Sequence, residues 1–143
     1  MTKIVYDTNA MQAMALFENI TRAKVKDYFD DPVQGRLVFI VLPGELWKAL
    51  GKGSSNVKRL EQAFKKKIKI VEFSDDVLKF ISNMAHPLKV KSVTRDSADQ
   101  EIIVIDGGDV QTRGLLIGRN AKNLRNLEVN VRRFFDVKEI KVV

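Results

Sequence analysis

Apolar positions recur at helical spacing in two stretches, Met11, Met14, Ala15, Leu16 and Phe17, then Val77, Leu78, Phe80, Ile81 and Met84. The spacing predicts a helix from Asp7 or Thr8, either of which can cap it, to about Thr21. It predicts another from Asp75 to Ala85, capped by Ser74 and ended at His86-Pro87, because a residue before proline avoids helical ψ. Strand patterns follow each helix. Lys24 to Phe29 alternates, Asp30 to Gly35 carries turn chemistry, and Arg36 to Leu42 is a near-continuous apolar strand expected to be buried on both faces. In the second half, Val90 to Arg95 and Glu101 to Asp106 form a strand pair across a polar turn at Asp96 to Asp99.

The remaining segments also match. Pro43-Gly44 breaks the apolar strand, and a short helix (Glu45 to Leu50), a longer helix (Ser55 to Lys66) and a strand (Lys67 to Phe73) follow. The second half has a short helix at Val110 to Ile117 that Asp109 can cap, a longer helix at Lys122 to Phe135 and a strand at Lys138 to Val143. The order αββααβ therefore occurs twice. An α+β fold is expected, with two units, 1–73 and 74–143, each a three-stranded sheet with helices on one face.

The repeat reaches the level of residues. Leu50-Gly51-Lys52-Gly53-Ser54-Ser55-Asn56-Val57-Lys58-Arg59-Leu60 aligns with Ile117-Gly118-Arg119-Asn120-Ala121-Lys122-Asn123-Leu124-Arg125-Asn126-Leu127 at an offset of 67 residues. Six features persist: the leading aliphatic, the glycine, the following cation, the asparagine, the next cation and the closing leucine. A short glycine loop that carries a cation and opens a helix suits a phosphate. Glycine allows close approach of the backbone, and the helix start favours negative charge.

Net charge is +7 over 143 residues, which points to a polyanionic partner, nucleic acid above all. The excess is +5 in residues 1–73 and +2 in residues 74–143. Between Lys48 and Lys69 lie eight basic residues (48, 52, 58, 59, 65, 66, 67 and 69) and one acid, Glu61. Between Arg113 and Arg133 lie six (113, 119, 122, 125, 132 and 133) and one acid, Glu128. Such rims can follow a phosphate backbone and supply salt-dependent affinity, or can simply be solvated faces. The chain has no cysteine, so it has no disulfide or thiolate metal site. Its longest apolar run, Leu37 to Leu42, is too short to span a bilayer. With no signal-peptide layout at Met1 to Asp7, a soluble cytoplasmic protein is expected, without a membrane partner.

The order αββααβ, with a Gly-x-x-Gly-like loop between the two central helices, resembles the type II KH domain. Two such units in succession resemble the archaeal members of the NusA transcription-factor family. Bacterial members carry further domains ahead of their KH pair, including an oligonucleotide-binding barrel, and these 143 residues contain no counterpart. The resemblance implies single-stranded RNA binding, in which each loop clamps the backbone while bases lie in an apolar groove. It places the first clamp at Gly51, Lys52, Gly53 and Ser54, and the second at Gly118, Arg119, Asn120 and Ala121. Ser55, Asn56, Lys58 and Arg59 extend the first site, and Lys122 and Arg125 the second. Ser54 offers a hydroxyl and can cap its helix, Ala121 offers only its amide, and Asn120 can take the left-handed region in place of a glycine. The resemblance further implies a role in transcription elongation or termination and RNA polymerase as a partner. No cofactor is implied.

Other residues have ordinary structural readings. Asn56 and Asn123 can bind RNA or tie down their own loops. Phe39, Phe64, Phe73, Phe80, Phe134 and Phe135 fall on apolar faces or element ends and belong in a core, and Trp47 is expected to pack the short helix. His86, the single histidine, has no catalytic or metal-binding company. The stretch Gly51-Lys52-Gly53-Ser54 is superficially similar to a P-loop, but the first glycine would fall on Leu46 and the Ser/Thr on Gly53. Catalysis is therefore not expected. Two rivals keep the fold and change the role: a ribosome-associated or ribosomal RNA-binding KH protein, and a scaffold that binds protein.

Overall fold

A computed structural model of the chain describes residues 8–143, which divide into two compact units, 8–74 and 75–143. The first contains α1 (Thr8–Thr21), β1 (Val25–Asp31), β2 (Arg36–Val41), α2 (Leu46–Leu50), α3 (Ser55–Phe64) and β3 (Lys67–Glu72). The second contains α4 (Val77–Ala85), β4 (Ser92–Arg95), β5 (Ile102–Asp106), α5 (Val110–Ile117), α6 (Lys122–Val131) and β6 (Glu139–Val142). The fold is α+β, with two three-stranded sheets ordered β1-β2-β3 and β4-β5-β6. In each, the first pair is antiparallel and the second parallel. The parallel pairing forces a crossover, and the two-helix segment with its glycine loop supplies it.

In the first unit one face of β2 (Leu37, Phe39 and Val41) packs against Ala13 and Phe17 of α1, Ala49 of α2 and Leu60 of α3. Phe39 is the hub, with ring centroids 4.4 Å from Phe17, 5.0 Å from Tyr28 and 5.4 Å from Phe64. Every side chain from Leu37 to Val41 is buried, as the continuous apolar run predicts. In the second unit Phe80 lies 5.5 Å from Phe134 and 5.7 Å from Phe135, and Ile103, Ile105 and Ile140 are fully buried. No helix among the described residues is long and apolar enough to cross a membrane.

Several expected boundaries and faces shift, each for a local reason. The buried row of α1 is Ala13, Phe17 and Thr21, while Met11, Ala15 and Leu16 are exposed. Stacking of Phe17 on Phe39 fixes this rotation, and the Thr21 hydroxyl donates to the Phe17 carbonyl at 2.9 Å. A cap from Asp7 lies outside the described residues. Asp30 and Asp31 continue β1 instead of turning, because the buried Asp31 carboxylate closes the hairpin by accepting from Gln34 N at 3.1 Å and Arg36 Nε at 3.3 Å. A bulge between Val25 and Asp27 interrupts the alternation expected there.

Helix ends move as well. Asp76, not Ser74, caps α4, accepting from Leu78 N at 3.0 Å. Helix α3 stops at Phe64, where Lys65 turns left-handed (φ 55°) so that the chain can reverse into β3. Helix α6 stops at Val131, four residues short of Phe135. There Arg132 folds back, its Nε donating to the Val137 carbonyl at 2.8 Å and its Nη2 to the Lys138 carbonyl.

Candidate nucleic-acid interface

The two glycine loops, 51–54 and 118–121, take the same path through conformational space. The first glycine sits at φ 74°, ψ 171° in one (Gly51) and φ 72°, ψ 175° in the other (Gly118). The third position is left-handed in both: Gly53 at φ 60°, ψ 28° and Asn120 at φ 56°, ψ 33°. So is the fourth, with Ser54 at φ 59°, ψ 27° and Ala121 at φ 58°, ψ 23°. Asn120 thus takes the conformation expected of it. Ala121 holds its left-handed position at an ordinary cost of about 1–2 kcal/mol for an L-residue.

An asparagine locks each loop from beneath. Asn56 Nδ2 donates to the Lys48 carbonyl at 3.2 Å, and Asn123 Nδ2 to the Leu115 carbonyl at 3.1 Å. In each case the carbonyl belongs to the residue three before the first glycine. The amide packs so closely under that glycine that a Cβ on Gly51 would stand 2.8 Å from Asn56 Nδ2, and one on Gly118 would stand 2.6 Å from Asn123 Nδ2. Both asparagines thus hold the helix before the loop to the helix after it.

Ser54 does not cap α3. Its left-handed backbone is not the extended conformation that a capping side chain needs, and its hydroxyl makes no cap bond. No side chain caps α6 either. No side chain therefore covers the opening of either helix, at the positive end of its dipole, although Ser55 N and Lys122 N donate back to the Lys52 and Arg119 carbonyls. Lys52, Gly53, Ser54 and Ser55 are exposed around the first opening, and Arg119, Asn120 and Lys122 around the second. Among the described residues, no carboxylate pairs with Lys52, Lys58, Arg119 or Lys122.

Other cations of the two rims are already engaged. Arg59 donates to Asn56 Oδ1 at 3.3 Å. Lys48 pairs with Glu45 at 3.6 Å and Lys66 with Asp30 at 3.5 Å. Lys69 is half-buried in β3, where burial, and after it the charge of Arg36, push its ammonium down from 10.5 to about 8. Arg125 pairs at 2.7 Å with Glu128, whose hydrogen bond and charge push the guanidinium up further. Arg132 serves the α6 terminus.

Three features lie outside the sequence-based site. Glu61 Oε2 accepts from Ile68 N at 3.4 Å and Glu128 Oε2 from Ile140 N at 2.7 Å, so each pins the helix after the loop to the last strand of its unit. These two acids also stand 67 residues apart, one position past the aligned leucines. The third feature is Trp47. It does not pack the short helix but is 82% exposed at the edge of the first loop. The row Leu46, Ala49 and Leu50 faces inward, and its helical spacing already leaves position 47 outside. His86 is exposed, and no group of three His, Cys, Asp or Glu that could hold a metal occurs among the described residues.

No protein-family model matches the chain. Among curated proteins it is similar to the probable transcription termination protein NusA of Methanococcus vannielii, 33% identical over 99% of this chain and 80% of that protein. It is similar to the protein of the same name from Methanocaldococcus jannaschii, 31% identical over 100% of this chain and 77% of that one. Among solved structures, the crystal structure of APE1850 matches with a TM-score of 0.74 and 25% identity, over 96% of this chain and 100% of that one. The similarity extends over nearly the whole chain, and on that ground the chain belongs to the archaeal family of probable transcription termination proteins NusA.

Proposed function

We propose that the two units are tandem type II KH domains, joined near Ser74-Asp75, and that their glycine loops clamp single-stranded RNA during transcription elongation or termination. Lys52 and Lys58 meet phosphates at the first loop, with the amide of Gly53 closing on the backbone, while Ser54 N and Ser55 N donate to the Gly51 and Lys52 carbonyls and hold the turn. Arg119 and Lys122 do the same at the second loop, with the amide of Asn120, while Ala121 N donates to the Gly118 carbonyl. Asn56 and Asn123 hold the clamps in shape, while Arg59 and Arg125 lie at the margin. RNA polymerase is the partner beside which this RNA is held, a reading supported by the name that the relatives carry. The activity is binding, with no reaction catalysed.

One observation carries the reading: two loops of different sequence share one backbone conformation, and each presents an uncapped helix start beside unpaired cations. A merely structural turn gives no reason for alanine to hold a left-handed position that matches its counterpart. Fluorescence anisotropy with a randomised single-stranded RNA tests it, comparing the wild type with Lys52→Asp/Gly53→Asp at several salt concentrations. The left-handed position 53 accepts aspartate, so the variant keeps its fold, which circular dichroism checks. Wild-type affinity should fall with salt, by a logarithmic slope of about 0.7 for each phosphate contact, and the variant should bind far more weakly with a shallower slope. Binding indifferent to both salt and variant would overturn the clamp and favour a scaffold that recognises protein.

A further inference from the structure

We propose that Trp47 is a stacking platform for a nucleobase of the strand whose backbone the first loop holds. The inference rests on the RNA-binding reading and names where a base goes. Trp47 is the chain's single tryptophan, and it is the most exposed of the large apolar side chains described. An indole left in water forgoes one of the largest burial gains a side chain can make, so an outward tryptophan beside a binding loop calls for an occupant.

The surroundings say which occupant. An open cleft of about 440 Å³ is lined by Trp47, Leu50, Gly51, Lys52, Gly53 and Ser54. One side of it is apolar and aromatic, and the other is the cationic glycine loop. A nucleotide has the same division, a flat π face joined to a phosphate, whereas an apolar peptide would leave the exposed Lys52 ammonium unanswered. Every base offers a face to an indole, so the platform adds affinity without selecting sequence.

The second unit has no such platform. At the offset of 67 residues Trp47 corresponds to Gly114, and Lys48 to Leu115. Stacking therefore belongs to the first loop alone.

Because there is one tryptophan, its emission reports directly on the site. The intact chain is titrated with a randomised single-stranded RNA and with an abasic ribose-phosphate strand of equal length, following indole emission and anisotropy together. RNA should quench the emission with the same midpoint as the anisotropy change, and the abasic strand should not quench it. Trp47→Ala should weaken RNA binding by about 5- to 150-fold and binding of the abasic strand much less. Trp47→Phe should recover most of the loss. Circular dichroism checks both variants, whose altered side chain is solvent-facing. If RNA binds with unchanged emission and Trp47→Ala binds like the wild type, stacking is overturned while the clamp stands. If the wild type binds no RNA, the underlying reading fails and the platform with it.

Discussion

At the scale of single residues, the arrangement turns on a glycine and an asparagine five positions apart. Gly51 is required twice over, by a φ and ψ open in practice to glycine alone and by the Asn56 amide packed beneath it. Gly51→Ala should therefore lower unfolding free energy by about 1–3 kcal/mol, and Gly118→Ala by a similar amount, as measured by urea denaturation. Gly53 is different. A Cβ there meets open space, and Asn120 occupies the equivalent position, so Gly53→Asn should cost less than either substitution. The aligned glycines and asparagines were legible in the sequence because repetition marks them. The bond each asparagine makes was not, because an Asn can bond a phosphate, a base or a carbonyl with equal chemistry. The left-handed Ser54 was illegible for a related reason: serine before a helix ordinarily signals a cap, and here the glycine ahead of it turns the chain another way.

At the scale of elements, order and type followed from periodicity, and most errors lay at the ends. Leu37 to Val41 is apolar without interruption, and with Arg36 ahead of it forms the central strand. The helix ends at Phe64 and Val131 are set by the turns that follow them, which local pattern does not record. Nor did the pattern show which face of α1 turns inward, since its methionines and leucine offer a rival stripe to Ala13 and Phe17. The pin between the helix after each loop and the last strand is likewise tertiary. Glu128 is 3% exposed and bonded to both Ile140 N and Arg125, so Glu128→Ala should destabilise the protein by about 1–3 kcal/mol through an unpaired buried amide. Glu61 is less buried and its bond is longer, so Glu61→Ala should cost less in the same urea titration. Equal costs would show that the two pins do not differ as their geometry does.

At the scale of the whole molecule, two copies of one device have diverged around a preserved backbone. The first keeps Lys48, Lys52, Lys58 and an outward Trp47, while the second has Leu115 and Gly114 at two of those positions and ties its Arg125 to Glu128. The sequence made the pair of sites visible through its offset and charge. Part of their inequality was visible too, in Ala121 against Ser54 and in an excess of +5 against +2, but which cations are paired and which aromatic faces water was not. The most direct test of the two-clamp account is a proton–nitrogen NMR titration of the uniformly labelled chain with a randomised single-stranded RNA. The account predicts that the largest shifts fall on backbone amides of 51–55 and 118–122, with the indole N–H of Trp47 moving alongside the first group. Shifts that avoid both loops and gather on another surface, or a spectrum that RNA leaves unchanged, would contradict it.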